Sequence, residues 1–197
     1  MTDEKLLQRA SRGDESAFLS LYERHRAPVF RFAYRMLGSV ELAEDVTQDC
    51  FLGLIKNPNG FDPARAALRT YLYAAARNLA CKHFRHPASD AARSLKVEDL
   101  SEDLRTEARE EPLGLLLDAE LSFEVSKAVG RLPPLQREAI VLFEYEELSL
   151  QEIAAIVGAD TGTVKSRLFR ARAALRKSLA PYLKSEAEIE KFKKVYK

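Results

Sequence analysis

Residues 149–176, SLQEIAAIVGADTGTVKSRLFRARAALR, carry the strongest structural information in this chain. Ser149 and Glu152 have the S-x-x-E spacing of a capping box, which begins a helix, and Gly158 is the kind of residue that ends one. Asp160 then stands at an N-cap position. A second helical period follows it, with one apolar stripe at Val164, Leu168, Ala171 and Leu175. The segment therefore predicts two helices joined by a tight turn.

The face opposite this stripe is polar and basic. Between Thr161 and Lys184 there are seven Lys or Arg residues and no Asp or Glu, so no i,i+4 acid neutralises the face. Phe169 projects from its middle, where an exposed ring suits contact with a thymine methyl group. The face comprises Gly162, Lys165, Ser166, Phe169, Arg170, Ala173 and Arg176. The pattern favours a helix-turn-helix whose second helix enters the DNA major groove, and a merely solvated basic face is the alternative.

Charge is distributed unevenly along the 197 residues, although the net charge is only +1. Residues 1–86 contain 13 Lys or Arg against 10 Asp or Glu, residues 87–118 contain 4 against 9, and residues 119–197 contain 14 against 11. Two mildly basic ends flanking an acidic middle predict two modules and a linker. Nearly every periodic segment has the helical period, so we expect an all-α fold of two small domains.

Several classes of protein are disfavoured by residues that the chain lacks. Cys50 and Cys81 are too few for a disulfide framework and do not have the spacing of a zinc site. No Gly-rich phosphate loop or catalytic motif is present, so we predict no enzyme, no metal and no cofactor. Without a signal peptide or an apolar run of about 20 residues, we expect a cytoplasmic protein with no membrane insertion.

A second basic and aromatic surface is predicted on a helix over residues 64–86, whose core positions would be Leu68, Leu72, Ala75 and Leu79. Tyr73, Arg77 and Phe84 fall on the far side, and aromatic rings interleaved with Arg are typical of single-strand binders. Packing of the two rings against preceding helices is the alternative. The turn-rich loop at residues 57–62, NPNGFD, could hold an unstacked base.

An acidic face is predicted on the helix that contains residues 41–51, ELAEDVTQDCF. Leu42, Val46 and Phe51 are available for the interior. A solvated face is the default interpretation, and a protein partner with a basic surface is the other. The polar face comprises Glu44, Asp45, Gln48 and Asp49.

Together these segments resemble bacterial sigma factors of the extracytoplasmic-function (ECF) group of the sigma-70 family, which keep only the domains called σ2 and σ4. AEDVTQDCF is similar to region 2.2, and FDPARAALRTYLYAAARNLACKHFR is similar to regions 2.3 and 2.4. LPPLQREAIVLFEYEELSLQEIAAIVGADTGTVKSRLFRARAALR is similar to the whole of σ4. The resemblance, over roughly residues 3–180, implies a transcription initiation factor that binds core RNA polymerase, reads the −10 and −35 elements and promotes duplex opening.

The resemblance also implies domains and site residues. Residues 1–86 would be a σ2-like domain, 87–118 an acidic flexible linker, 119–183 a σ4-like helix-turn-helix domain, and 184–197 a tail of helical spacing. Core polymerase would bind through its β′ clamp helices and β flap, the clamp helices meeting Asp45, Gln48 and Asp49. The −10 element would meet Asn59, Phe61, Arg69, Tyr73 and Arg77. The −35 element would meet Gly162, Thr163, Lys165, Ser166, Phe169 and Arg170, with phosphates held by Arg167, Arg172 and Arg176. An anti-sigma factor is the remaining implied partner.

Some residues depart from the family pattern. Tyr71 stands where Trp is usual, and Leu68 where Phe is common. Ala66 and Ala67 replace a typical Gly-Ser, and residues 53–55 replace a stretch that often ends in Trp. Phe143 occupies a position that is often Arg, so we expect this chain to make one phosphate contact fewer at the −35 element. We expect these departures to affect which promoter sequence the chain prefers and not its fold.

Three other functions fit part of the pattern. A regulator with σ4-like helices but no polymerase contact would need a sensor or receiver domain with a sheet, and residues 1–110 show no strand alternation. An all-helical adaptor would not need Phe169 exposed among cations. An RNA-binding protein would suit Tyr73, Arg77 and Phe84 but not a major-groove helix.

Overall fold

The computed structural model describes residues 1–84 and 112–182, with the side chains of all of them except Asn59 and residues 112–120. These residues form eight α-helices and no strand, which confirms the all-α prediction. A 3₁₀ turn at Pro58–Gly60 precedes α4, and one π-helical turn at Val141–Tyr145 follows α6. The helices are α1 Asp3–Ala10, α2 Glu15–Leu37, α3 Val40–Lys56, α4 Leu68–Phe84, α5 Pro112–Gly130, α6 Pro134–Ile140, α7 Leu150–Val157 and α8 Thr161–Leu179.

Most of the acidic linker predicted at residues 87–118 and the tail predicted at 184–197 lie outside the described residues. Helix α5 begins at Pro112, inside the range assigned to the linker. No helix within residues 1–84 and 112–182 has both the length and the apolar character that crossing a membrane requires.

Helix α2 is the centre of the first half of the fold. Its N-cap is Asp14, whose carboxylate accepts a hydrogen bond from the backbone N–H of Ala17 at 3.0 Å, and it ends at Gly38, which has a φ of 71°. The sequence suggests a bend or break near Pro28, but the helix runs through this residue. Val29 and Phe32, just beyond the proline, are fully buried, and their packing holds the helix on the core.

Helices α1, α3 and α4 pack on α2 and enclose an aromatic core. The ring of Phe51 from α3 meets the rings of Phe18 and Tyr22 at centroid distances of 6.4 and 4.9 Å, edge to face. Further along α2, the ring of Phe32 meets that of Tyr73 from α4 at 5.5 Å. The core therefore fixes the faces that α3 and α4 turn outward.

The second half is built on the predicted hairpin. Ser149 and Glu152 form both hydrogen bonds of the capping box, and Gly158 ends α7 with a φ of 64°. Asp160 caps α8 by accepting from the backbone N–H of Thr163 at 2.8 Å. All four residues of the predicted apolar stripe are buried, at 0–4% exposure, against α6 and α7: Val164, Leu168, Ala171 and Leu175.

The two halves lie against each other, with α4 on α7 and α2 on α5, α6 and the π-helical turn. This packing corrects the stripe predicted for α4. Ala75 and Leu79 are only partly buried, whereas Tyr73 is 1% exposed. Helix α4 is covered by α2 on one side and by the second half on another, so no single stripe describes it. The buried set is Leu68, Thr70, Leu72, Tyr73, Ala76 and Ala80.

Candidate nucleic-acid interface

The outer face of α8 carries an exposed aromatic ring among cations. Phe169 is 73% exposed, the highest value among the large apolar residues in the described part of the chain. Lys165, Ser166 and Arg170 are exposed beside it. The buried stripe fixes the rotation of the helix, so these side chains must point away from the core. Four of the six predicted −35 residues thus share one accessible surface.

The N-terminal turn of α8 is held in place by local hydrogen bonds. The hydroxyl of Thr163 donates to Asp160 Oδ2 at 2.7 Å, and that of Ser166 donates to the carbonyl of Gly162 at 3.0 Å. Hydrogen bonds from Thr163 lower the pKa of the Asp160 carboxyl. A Cβ at position 162 would lie 3.0 Å from Asp160 Oδ1, so glycine there leaves room for the capping carboxylate. Gly162 and Thr163 therefore help to fix the end of α8 that carries the exposed face of Lys165, Ser166, Phe169 and Arg170. This face is called the reading face below.

The predicted phosphate contacts differ in exposure. Arg176 is exposed. Arg167 and Arg172 have side chains only 15% and 18% exposed, and each is paired with a carboxylate. Arg167 Nη1 lies 2.9 Å from Glu138 Oε1, and Arg172 Nη2 lies 2.7 Å from Glu144 Oε1. The structure does not bring these three side chains to one phosphate-facing row.

Phe143, the departure from the family pattern, packs beside one of these arginines. The guanidinium of Arg172 lies 5.3 Å from the centroid of the Phe143 ring. A cation at this distance is attracted to the face of the ring. Phe143 therefore carries no charge, but its ring stabilises the position of the charged Arg172 side chain.

The predicted −10 residues are mostly covered. Arg69 is exposed, whereas Phe61 is 8% exposed and packs edge to face on Tyr71 at 5.6 Å. Tyr73, expected on the outer side of α4, is buried, which matches the packing alternative. The side chain of Asn59 lies outside the described part. Tyr71, which stands where Trp is usual in the family pattern, is thus engaged with Phe61.

Two buried carboxylates of the second half hold the covered face of α4. Glu138, 1% exposed, accepts from Arg77 Nε at 2.9 Å on one oxygen and from Arg167 on the other. Glu146, 7% exposed, accepts a hydrogen bond from the Tyr73 hydroxyl and lies 3.5 Å from Arg35 Nη1. Sequence reasoning missed both acids, although Glu138 stands beside the apolar run 139–143, AIVLF, where a carboxylate needs a partner.

The pKa values of the groups in this cluster are shifted by burial and by hydrogen bonding. Burial, together with the hydrogen bond to Glu146, raises the pKa of the Tyr73 hydroxyl. The hydrogen bond to Glu138 raises the pKa of the Arg77 guanidinium. Burial lowers the pKa of Arg35, whose guanidinium also lies 4.3 Å from the centroid of the Tyr145 ring. The Tyr73 hydroxyl is therefore a hydrogen-bond donor to Glu146.

The predicted polymerase-docking residues lie on a separate surface. Asp45, Gln48 and Asp49 are exposed on the outer face of α3, while Val46 and Phe51 are buried. The same face continues toward the C-terminal end of the helix with the exposed apolar side chains of Leu52 and Ile55, at 39% and 48%. Acidic, amide and apolar groups on one accessible helix face suit a protein partner better than DNA.

The chain is similar to known proteins in family, in sequence and in fold. The family model described as Sigma-70 region 2 matches residues 21–89, and the model described as Sigma-70, region 4 matches residues 122–175. The chain is 34% identical over 184 residues to the ECF RNA polymerase sigma factor SigW of Bacillus subtilis, across 91% of this chain and 97% of that protein. It is 31% identical over 186 residues to the RNA polymerase sigma-H factor of Pseudomonas aeruginosa, across 92% and 96%.

The fold is similar to that of CnrH, which was solved in complex with the cytosolic domain of CnrY. The TM-score is 0.63 at 26% sequence identity, and the match covers 91% of this chain and 97% of CnrH. The similarity therefore extends over both halves of the fold.

Proposed function

The chain belongs to the extracytoplasmic-function sigma factors of the sigma-70 family, and from this premise we propose which of its surfaces bind promoter DNA and which bind core RNA polymerase. As a member of that family it is a promoter-specific transcription initiation factor and not an enzyme. The observation that carries the proposal is the separation of two accessible surfaces. The face around Phe169 suits DNA, and the outer face of α3 suits a protein.

Helix α8 reads the −35 element in the major groove. Lys165, Ser166, Phe169 and Arg170 meet base edges, since they are exposed on one side of a helix whose other side is buried. Gly162 and Thr163 hold the end of the helix that enters the groove first. Arg167, Arg172 and Arg176 hold phosphates and set the register of the helix on the duplex.

Helix α3 docks on core RNA polymerase, with Asp45, Gln48 and Asp49 against the β′ clamp helices and the second half against the β flap. Carboxylates steer the encounter with a basic partner, and the exposed Leu52 and Ile55 add apolar area to the same contact. The chain works in the cytoplasm, where polymerase and DNA are found. An anti-sigma factor is a further partner, as CnrY is bound to CnrH.

Helix α4 and the loop before it read the −10 element as an unpaired strand, through Asn59, Phe61, Arg69, Tyr73 and Arg77. Aromatic rings stack on bases and arginines hold the backbone, which is how single strands are held. The σ2-like domain is residues 1–86 and the σ4-like domain is residues 119–183, with residues 87–118 as the linker and 184–197 as the tail.

Transcription with purified core polymerase tests this function. Fragmented genomic DNA is transcribed with core polymerase alone, with the chain alone and with both, and the 5′ ends of the transcripts are sequenced. We expect a defined set of start sites only when both are present. Start sites that do not differ from those of core polymerase alone would refute the function.

A further inference from the structure

The face of α4 that is proposed to read the −10 strand is occupied by the second half of the same chain. Arg77 is bound to Glu138, and Tyr73 donates to Glu146 and is 1% exposed. Both carboxylates come from the α6–π-helix segment that also supports α8. A base therefore cannot stack on Tyr73, and Arg77 Nε cannot meet a phosphate, while this packing persists.

One carboxylate restrains cations of both halves at once. Glu138 holds Arg77 from α4 with one oxygen and Arg167 from α8 with the other, each at 2.9 Å. Arg77 is a proposed −10 contact and Arg167 a proposed −35 phosphate contact, so a single acid takes one cation from each proposed DNA surface. Arg137 adds a polar link by donating to the backbone carbonyl of Met36 in α2.

Contacts of this chemistry can be exchanged for contacts with DNA. A guanidinium forms the same bidentate, charge-assisted hydrogen bonds with a phosphate as with a carboxylate. An ion pair removed from water adds little net stability, because desolvation opposes the Coulomb attraction. The ion pairs of this contact can thus be exchanged for pairs between the same arginines and DNA phosphates.

The proposed polymerase-docking face remains accessible in this arrangement. Asp45, Gln48 and Asp49 are exposed on α3, whereas Tyr73 is buried and Arg77 is partly buried. Polymerase can therefore bind the chain before the two halves separate.

We propose that the packing of the second half on α4, through Glu138 and Glu146, is an autoinhibitory contact in which acids of the chain occupy the cations and the aromatic ring meant for promoter DNA. The inference rests on the proposed function and adds a closed state to it. In that state the affinity of α4 for single-stranded DNA is reduced by the fraction of molecules that are open.

Two variants open the contact from opposite sides. Arg35→Gln removes the cation of α2 that faces Glu146, and the double variant Glu138→Gln/Glu146→Gln removes the acids of the second half. Arg35→Gln makes the chain less cationic, so charge alone predicts weaker DNA binding, whereas opening predicts tighter binding. Glu144→Gln is the matched control, because Glu144 pairs with Arg172 inside the second half at 2.7 Å.

The full chain is studied free of polymerase, and circular dichroism first establishes that each variant is folded. Small-angle X-ray scattering gives the radius of gyration, and fluorescence anisotropy gives the affinity for a labelled pool of single-stranded oligonucleotides of mixed sequence. We expect both opening variants to expand and to bind at least about fivefold more tightly, with Glu144→Gln unexpanded. The salt dependence should steepen by about 0.7 for each cation that newly meets a phosphate.

The inference is overturned if Arg35→Gln expands without binding more tightly, if neither opening variant expands, or if Glu144→Gln expands equally. Its failure is distinct from failure of the proposed function, because promoter-specific transcription by wild-type chain and core polymerase is measured separately. Wild-type transcription together with unchanged binding by the opening variants would remove the closed state and leave the initiation factor intact.

Discussion

Replacement of Phe169 by alanine should weaken binding to the −35 element without affecting the fold. The ring is 73% exposed in the free chain, so its removal costs little packing. Burying a whole Phe side chain is worth about 1.5–3 kcal/mol, and the exposed fraction can gain roughly 1–2 kcal/mol on DNA. This corresponds to a loss of about 5- to 30-fold in affinity for the −35 element.

The contact with a thymine methyl group makes this prediction more specific. Uracil lacks that methyl group, which is worth about 0.8 kcal/mol when buried, or about fourfold in affinity. The assay measures initiation by the chain and core polymerase on promoters in which each −35 thymine is replaced in turn by uracil. Wild type should lose activity at one thymine, and Phe169→Ala should show no further loss there, so the double-mutant cycle reports the coupling directly.

Leu135 provides the matched control, since it is a 50% exposed apolar residue of the same half that lies on α6 instead of the reading face. Leu135→Ala should preserve both affinity and the response to uracil. If Phe169→Ala keeps the full discrimination between thymine and uracil, the ring does not meet a thymine methyl group. If Leu135→Ala loses as much affinity as Phe169→Ala, exposed apolar area rather than position governs the effect.

Three other predictions concern base reading, polymerase docking and acid stability. Lys165→Ala should relax base preference at one −35 position, at a cost of about 1–3 kcal/mol in binding free energy. Arg172→Ala should weaken binding to all −35 sequences alike and lower the salt slope by about one. Identical profiles of the two variants on a −35 library would contradict this difference. Asp49→Asn should weaken binding to core polymerase in a pull-down without lowering the melting temperature, while Glu23→Gln on α2 should change neither. Hydrogen bonds from Ser16 and the backbone N–H of Ala17, with Arg9 nearby, lower the pKa of Asp14 from 3.8 to about 2. Its stabilisation of the fold is therefore present above pH 3.8 and lost as the pH falls toward 2, so thermal melts should show the advantage of wild type over Asp14→Asn disappearing in that range.

The second half could be predicted from the sequence in detail because its signals are local. Ser149, Gly158 and Asp160 act on backbone groups within a few residues, and the structure contains each predicted cap. The exposure of Phe169 followed from the same reasoning, since a fixed apolar stripe determines the opposite face of a helix. Local hydrogen bonds and helical period were sufficient there.

The environment of α4 could not be predicted in this way. A helical period identifies one buried stripe, but α4 is covered by α2 and also by the second half. Tyr73 and Glu146 are 73 positions apart, and no local pattern relates them. Glu138 offered a weak signal, because a carboxylate next to a run of apolar residues must find a cation, but the sequence does not say which. The helical period of the sequence does not predict which distant charged residues pair.

The pair formed by Phe143 and Arg172 bears on how the −35 contact is made in this chain. An arginine at position 143 would stand beside Arg172, and two neighbouring guanidinium groups repel each other. With Phe143 in that place, the ring lies 5.3 Å from the Arg172 guanidinium and Glu144 binds the same group at 2.7 Å. Two contacts therefore fix the orientation of one arginine, and a phosphate that meets it must compete with the carboxylate of Glu144. The chain thus has one cation fewer at this site, and the cation that it keeps is already paired with an acid.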